Sequence, residues 1–155
     1  MDDLTIKKLL ADLQNPSEEV RDRATQIFWE QWFCQKGSAG LERLQRSQAL
    51  MDSGEIEAAE AILTALIQAQ PDFAEAWNRR SVLYYTQKQY VQALQDCQKV
   101  LSLVPFHFGA LHGLGLCYAA VGDYPAAVRA FHRALEVQPH ALINQKLLLE
   151  CSARL

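Results

Sequence analysis

Apolar residues recur along most of the chain at the spacing of an α-helix. Near the N-terminus, Val20, Ala24, Ile27, Phe28 and Trp32 fall three or four residues apart, which stacks their side chains on one helical face. This pattern predicts a short helix over 4–14 and a longer one from Pro16 to about Gln35, stopped at Gly37. Asn15 supplies an N-cap and Pro16 a first helical position, where a missing N–H goes unnoticed. The cluster FWEQWF is too wide for a single stripe. Trp29 and Phe33 either fill a seam with the following helices or form an exposed apolar patch, a second surface for a partner or for self-association. At the other end, HALINQKLLLECSARL reads as a helix with Ala141, Leu142, Leu148, Leu149 and Leu155 available to cover the helices before it.

Between these ends the sequence repeats. Pro71, Pro105 and Pro139 stand 34 residues apart, and so do Ala59, Ala93 and Ala127. The small residues Ser47, Ser81 and Gly115 and the apolar series Leu50, Tyr84 and Tyr118 keep the same interval of 34. A period of 34 is that of helix-turn-helix units which stack into a solenoid.

The residues at those positions resemble the tetratricopeptide repeat (TPR) family, whose pattern is W-x2-L-G-x2-Y, then A-x3-F, an alanine and a proline. The third unit matches at Leu114, Gly115, Tyr118, Ala127, Phe131, Ala134 and Pro139, with Leu111 in place of the usual Trp. The second matches at Trp77, Tyr84, Ala93 and Pro105 and departs at Arg80, Cys97 and Val100. The first keeps Ala59 and Pro71, with only apolar character at Leu50, Leu63 and Leu66. The resemblance implies an all-α, right-handed solenoid of three units over 40–139, divided as 40–73, 74–107 and 108–139. Residues 1–39 would form an N-terminal helical cap packed on the first unit, and 140–155 a C-terminal capping helix. Through Val20, Arg21 and Ala24, the first segment also resembles one HEAT-type helical hairpin.

Physical chemistry agrees with this phase. Small residues at Ser47, Ser81 and Gly115, facing Ala59, Ala93 and Ala127, let the two helices of a unit approach closely. Gly54 and Gly122 suit the left-handed conformation that ends a first helix, and Asp123 suits the cap of the next. Asp72 with Glu75 reads as a capping box opening the second unit. Arg80 stands where the repeat prefers leucine. A half-buried guanidinium needs a partner, and Asp96 on the second helix of the same unit is the candidate.

Composition narrows the chemistry. The net charge of -3 argues against a nucleic-acid surface, which needs clustered positive charge. No stretch approaches the apolar length that spans a bilayer, and the acidic start MDDL does not read as a secretory leader, so a cytoplasmic protein without direct membrane insertion is expected. Cys34, Cys97, Cys117 and Cys151 form no CxxC pair, and the four histidines lack zinc spacing, so neither a metal nor a cofactor is expected. Nothing designates a nucleophile, and a non-catalytic protein follows.

The resemblance implies where function sits. In TPR proteins the first helix of each unit lines a concave groove in which peptides or helices dock. Carried over by phase, that groove consists of Leu44, Gln48 and Asp52, then Glu75, Asn78, Arg79, Val82 and Tyr85, then His112 and Leu116. TPR co-chaperones hold the C-terminal carboxylate of heat-shock chaperones with lysine, asparagine and arginine. The corresponding residues here are Leu44, Gln48, Arg79, Gly109 and Gly113, so no binding to such tails is expected. The implied role is a protein-interaction adaptor for a protein or peptide partner. The alternative is a self-associating structural module using Trp29, Phe33 or the C-terminal helix. The blocks PDFAEAWNRR and HFGALHGLGLCYAA resemble short bacterial TPR proteins, some from photosynthetic bacteria, and by analogy a role in assembling larger complexes.

Overall fold

The computed structural model describes residues 1–155 as nine helices and no strands: α1 (Asp3–Asp12), α2 (Glu18–Phe33), α3 (Gly37–Asp52), α4 (Ile56–Ala69), α5 (Ala74–Thr86), α6 (Tyr90–Leu103), α7 (Phe108–Ala120), α8 (Tyr124–Val137) and α9 (Leu142–Ser152). From α3 onward each helix packs on its successor, as in a solenoid, and α3, α5 and α7 also touch in series to form one wall.

The helix boundaries have local causes. Gln70, Val104 and Gln138 end α4, α6 and α8 in similar extended conformations, which the following prolines impose by crowding the preceding residue. The turns inside the three pairs are also alike. Gly54 and Gly122 adopt φ of 81° and 82°, and Glu55 N–H and Asp123 N–H reach back to the carbonyls of Leu50 and Tyr118. These six-to-one bonds close the helix ends in the Schellman manner. The middle turn keeps the geometry without the glycine: Lys88 sits at φ 59°, and Gln89 N–H bonds Tyr84 O.

Two expected caps differ. Ser17, not Asn15, caps α2; Asn15 Oδ1 instead accepts Ser17 N–H at 2.8 Å and turns the chain into that cap. Pro16 therefore precedes the helix. Asp72 and Glu75 do not form a capping box, because Asp72 lies outside α5 against Lys36 Nζ at 2.8 Å and Glu75 is drawn into the interior. The Lys36 hydrogen bond holds the Asp72 carboxyl below its ordinary range.

Ala59, Ala93 and Ala127 are fully buried, as close helix pairing requires. Their small counterparts meet the residue one turn further on: Ser81 Oγ lies 3.0 Å from Cys97 Sγ, and a Cβ on Gly115 would sit 2.5 Å from the Phe131 ring. Ser47, equally buried, donates to Leu44 O. Leu44, Leu63, Leu66, Phe73 and Leu83 fill the space between the first two pairs, and Cys97, Val100, Leu111, Leu114 and Ala134 fill the next.

The ends depart from expectation. The N-terminal hairpin touches the first pair, through α2 against α3 and Phe33 against the Leu44 and Leu63 cluster, and it also reaches beyond that pair. Leu9, Leu13, Ala24, Phe28 and Trp32 pack on Val104, Phe106 and Phe108 at the start of the third pair, and on Val137. Gln14 Nε2 donates to Glu136 O, and Gln138 Nε2 to Thr25 Oγ1. The aromatic face of α2 meets Phe106 and Phe108, with Phe28 and Trp32 each 4.8–6.4 Å from both rings, and α2 crosses the wall to reach them. At the C-terminus, Leu142, Leu149 and Leu155 point outward at 76%, 71% and 71% exposure. Leu148 covers Ala127 and Phe131 as expected, joined by Leu147 and Cys151. A part-buried hydrogen bond, donated by His112 Nδ1–H to Asn144 Oδ1 at 2.6 Å, ties α9 to α7 in that phase.

Candidate functional site

The wall made by α3, α5 and α7 carries the residues expected to face a partner, and α2 divides them into two sets. Trp29 lies on Gly109, where even a Cβ would approach its ring to 2.6 Å. Trp32 stacks on the His107 imidazole with ring centres 3.9 Å apart and planes at 18°. Phe33 lies beneath the Arg79 guanidinium, 4.7 Å from its centroid. Trp29 and Phe33 are therefore seam residues, half-buried against the second and third pairs rather than only the first.

Beneath α2 the wall is closed. Glu75 and His107 are fully buried and bonded, Oε2 to Nε2, at 3.1 Å. Ala110 N–H points at His107 Nδ1 at 3.1 Å, so this nitrogen accepts and caps α7, leaving Nε2–H to donate to Glu75. Asn78 Nδ2 and Arg79 Nε donate to Glu75 Oε1 at 3.1 and 2.9 Å. Three donors thus satisfy a carboxylate that would otherwise be costly to bury. Glu75, Asn78 and Leu44 are inaccessible, and His112 is turned toward Asn144. The first three cannot receive a ligand in this conformation, and His112, half-buried, has its Nδ1 already engaged.

Beyond α2 the wall is open. Val82 is 39% exposed in mid-helix; Tyr85, one turn further along α5, and Leu116, at the equivalent position of α7 one period later, are half-buried. Gln48 donates to Asp52 Oδ1 at 2.8 Å and accepts from Arg79 Nη1 at 3.3 Å, so a polar edge flanks the apolar strip. Arg79 belongs to both sets, through Phe33 and Glu75 on one side and Gln48 on the other.

Other singled-out residues hold the scaffold. Arg80 grips Asp96 with two hydrogen bonds, Nε to Oδ2 at 2.8 Å and Nη2 to Oδ1 at 2.9 Å, and lies over Trp77 and Tyr84. Trp77 Nε1–H bonds Pro71 O at 2.9 Å. The Tyr84 hydroxyl donates to Glu60, and burial together with that carboxylate pushes the phenol up to about 12. Cys97 and Cys117 are buried neighbours; hydrogen bonding to Cys97 and burial push the Cys117 thiol up. Nowhere do three or more His, Cys, Asp or Glu side chains converge in a metal-binding group, and no helix is long and apolar enough to cross a membrane.

Sequence reasoning missed the Glu75–His107 pair, the Asn144 bond and the contact of Trp29 with Gly109. One signal was present for His107. It directly precedes a helix start, where a side-chain acceptor is wanted. Asn144 and Gly109 carried none, because their partners lie 32 and 80 residues away.

The comparisons with known proteins agree with this architecture. The tetratricopeptide repeat profile matches residues 44–108 and 109–141. A TPR repeat-containing protein of Rhizobium etli is 27% identical over 153 residues, covering 86% of this chain and 74% of that protein. Among solved structures, the first TPR domain of Spaghetti bound to an HSP90 peptide superposes with a TM-score of 0.70 at 20% identity, over 73% of this chain and 90% of that one. The TPR2B domain of yeast Sti1, in complex with an Hsp70 peptide, gives 0.68 at 18% identity, over 74% and 96%. With its 34-residue period, paired helices and shared inner wall, the chain belongs to the tetratricopeptide repeat family.

Proposed function

We propose that this chain is a non-catalytic adaptor that binds a peptide or protein on the open part of its inner wall. The observation that carries the reading is Val82, an aliphatic side chain left 39% exposed in mid-helix on the wall, with half-buried Tyr85 one turn away and Leu116 at the matching position of α7. Apolar anchors ringed by the Gln48, Asp52 and Arg79 hydrogen-bonding groups are what a docked segment uses for affinity and orientation. The part of the wall beneath α2 already holds a helix of its own chain, which supports the view that this surface suits helical ligands.

The same geometry argues against heat-shock chaperone tails as ligands. Of the five clamp positions, Leu44 is buried and Gly109 lies under Trp29. Those two positions are where the clamp has lysine, and Arg79 stands where it has asparagine. All four cysteines are free thiols, which fits a reducing compartment such as the cytoplasm.

The test is a pull-down from the source organism with the parent chain and Val82→Asp. Loss of specific captured proteins from a variant that keeps its helical spectrum supports the reading. Identical captured sets refute it. A second reading, self-association, rests on Leu142 and Leu149, two turns apart on α9 and both largely exposed. Light scattering that finds a dimer dissociated by Leu149→Glu would favour it.

A further inference from the structure

The width of the FWEQWF cluster has a structural explanation: α2 uses two faces. Ala24, Phe28 and Trp32 point into the core. A second row, Asp22, Gln26, Trp29, Glu30 and Phe33, runs along the side next to α3 and with Leu41 lines an open cleft of about 650 Å³. Trp29, Phe33 and Leu41 form an apolar floor, each only half-buried. The rim is acidic. Asp22 and Glu30 are exposed, and no lysine or arginine lines the cleft. The row from Asp22 to Phe33 rises roughly 17 Å along α2, about three turns of a helical ligand.

We infer that the α2–α3 cleft is a second docking site, distinct from the open strip around Val82, and that its occupant is a basic amphipathic helix of another protein. A helix laid in the cleft sets apolar anchors, spaced at i, i+3 or i+4 and i+7, on Trp29, Phe33 and Leu41. Its flanking lysines or arginines meet Asp22 and Glu30. An acidic helix would place like charges together and leave them poorly solvated. The cleft thereby discriminates by sign as well as by shape. The two sites meet at Arg79, which covers the Phe33 ring and bonds Gln48, so one elongated partner could follow both.

Cys34 reports on occupancy. It lines the cleft and is exposed, whereas Cys97, Cys117 and Cys151 are buried. The test measures the rate of Cys34 alkylation by iodoacetamide in the full chain. The probe is a synthetic helical peptide of about 18 residues with leucines on one face and lysines on the other. Its counterpart carries glutamate for each lysine. The leucine–lysine peptide is expected to slow alkylation about tenfold or more, and the glutamate peptide to leave it unchanged. The variant Asp22→Lys/Glu30→Lys, changed only at exposed positions, should need about tenfold more of the lysine peptide and become protected by the glutamate peptide. Val82→Asp should protect Cys34 as well as the parent chain does. The inference is overturned by an absence of protection, by equal protection from both peptides, or by charge reversal having no effect. Loss of protection in Val82→Asp overturns the claim that the sites are distinct, whatever becomes of the adaptor reading.

Discussion

Phe28 is the place to ask whether the N-terminal hairpin is part of the folded core or an appendage. Its ring is fully buried and touches three others, with centroids 5.5 Å from Trp32, 5.5 Å from Phe106 and 6.1 Å from Phe108. Phe28→Ala removes all three contacts. It opens a cavity walled by Phe106, by Phe108 at the start of α7 and by a tryptophan held by its stack on His107, so relaxation can close only part of it. Substitutions of this kind cost about 3–5 kcal/mol. With a urea m-value of roughly 2 kcal/mol/M, the unfolding midpoint should fall by about 1.5–2.5 M. The measurement is urea denaturation followed at 222 nm, where every helix contributes, and in parallel by fluorescence of Trp29 and Trp32 in the hairpin and Trp77 in α5. Both signals should shift together, because the hairpin is joined to the third pair through Phe106 and Phe108. Leu149→Ala, on an exposed face of α9, serves as the control and should change stability by less than about 0.5 kcal/mol. A Phe28→Ala transition in which the helical signal keeps the parental midpoint would refute the reasoning and make the hairpin a separately unfolding unit.

Arg80→Leu should lower stability by about 3 kcal/mol, since it strands the Asp96 carboxylate at 5% side-chain exposure; Arg80→Leu/Asp96→Leu should recover at least half of that loss in the same denaturation assay. Gly115→Ala forces a methyl group to within 2.5 Å of the Phe131 ring and should cost about 1–3 kcal/mol despite the better helix propensity of alanine, measured as a lower thermal midpoint. Tyr84, with its phenol near 12 in the folded chain and 10 as the ordinary value, binds its proton more tightly when folded. Stability should therefore fall as pH rises from about 10 to 12, and less steeply in Tyr84→Phe, while absorbance at 295 nm should show that variant lacking a late-titrating phenol.

The repeat was legible because it is written in local chemistry. A proline every 34 residues fixes the residue before it in extended backbone, a glycine or its substitute ends each first helix, and a small residue recurs wherever two helices must approach closely. Those rules act within a few residues or within one helical pair, so periodicity sufficed for the all-α fold and the family. Lys88 marks the limit of such reading. Its turn is left-handed like those of Gly54 and Gly122, but the side chain gives no sign of it, and the tertiary setting imposes the geometry.

The faces were harder to read than the helices. Phase alone assigned Glu75 and Asn78 to an accessible groove, and by phase they do lie on the inner wall. What removed them from solvent is α2, whose landing place depends on Phe106 and Phe108, about 80 residues further along the chain than Phe28. The aromatic excess in FWEQWF signalled a second contact without naming its partner. The sequence by itself determined helix type, pairing and period, since each follows from interactions between near neighbours. The tertiary structure decided which parts of the inner wall stay open, where the hairpin binds and which leucines of α9 are covered. Those outcomes depend on matching apolar surfaces far apart in the chain, and surface complementarity leaves no period in a sequence.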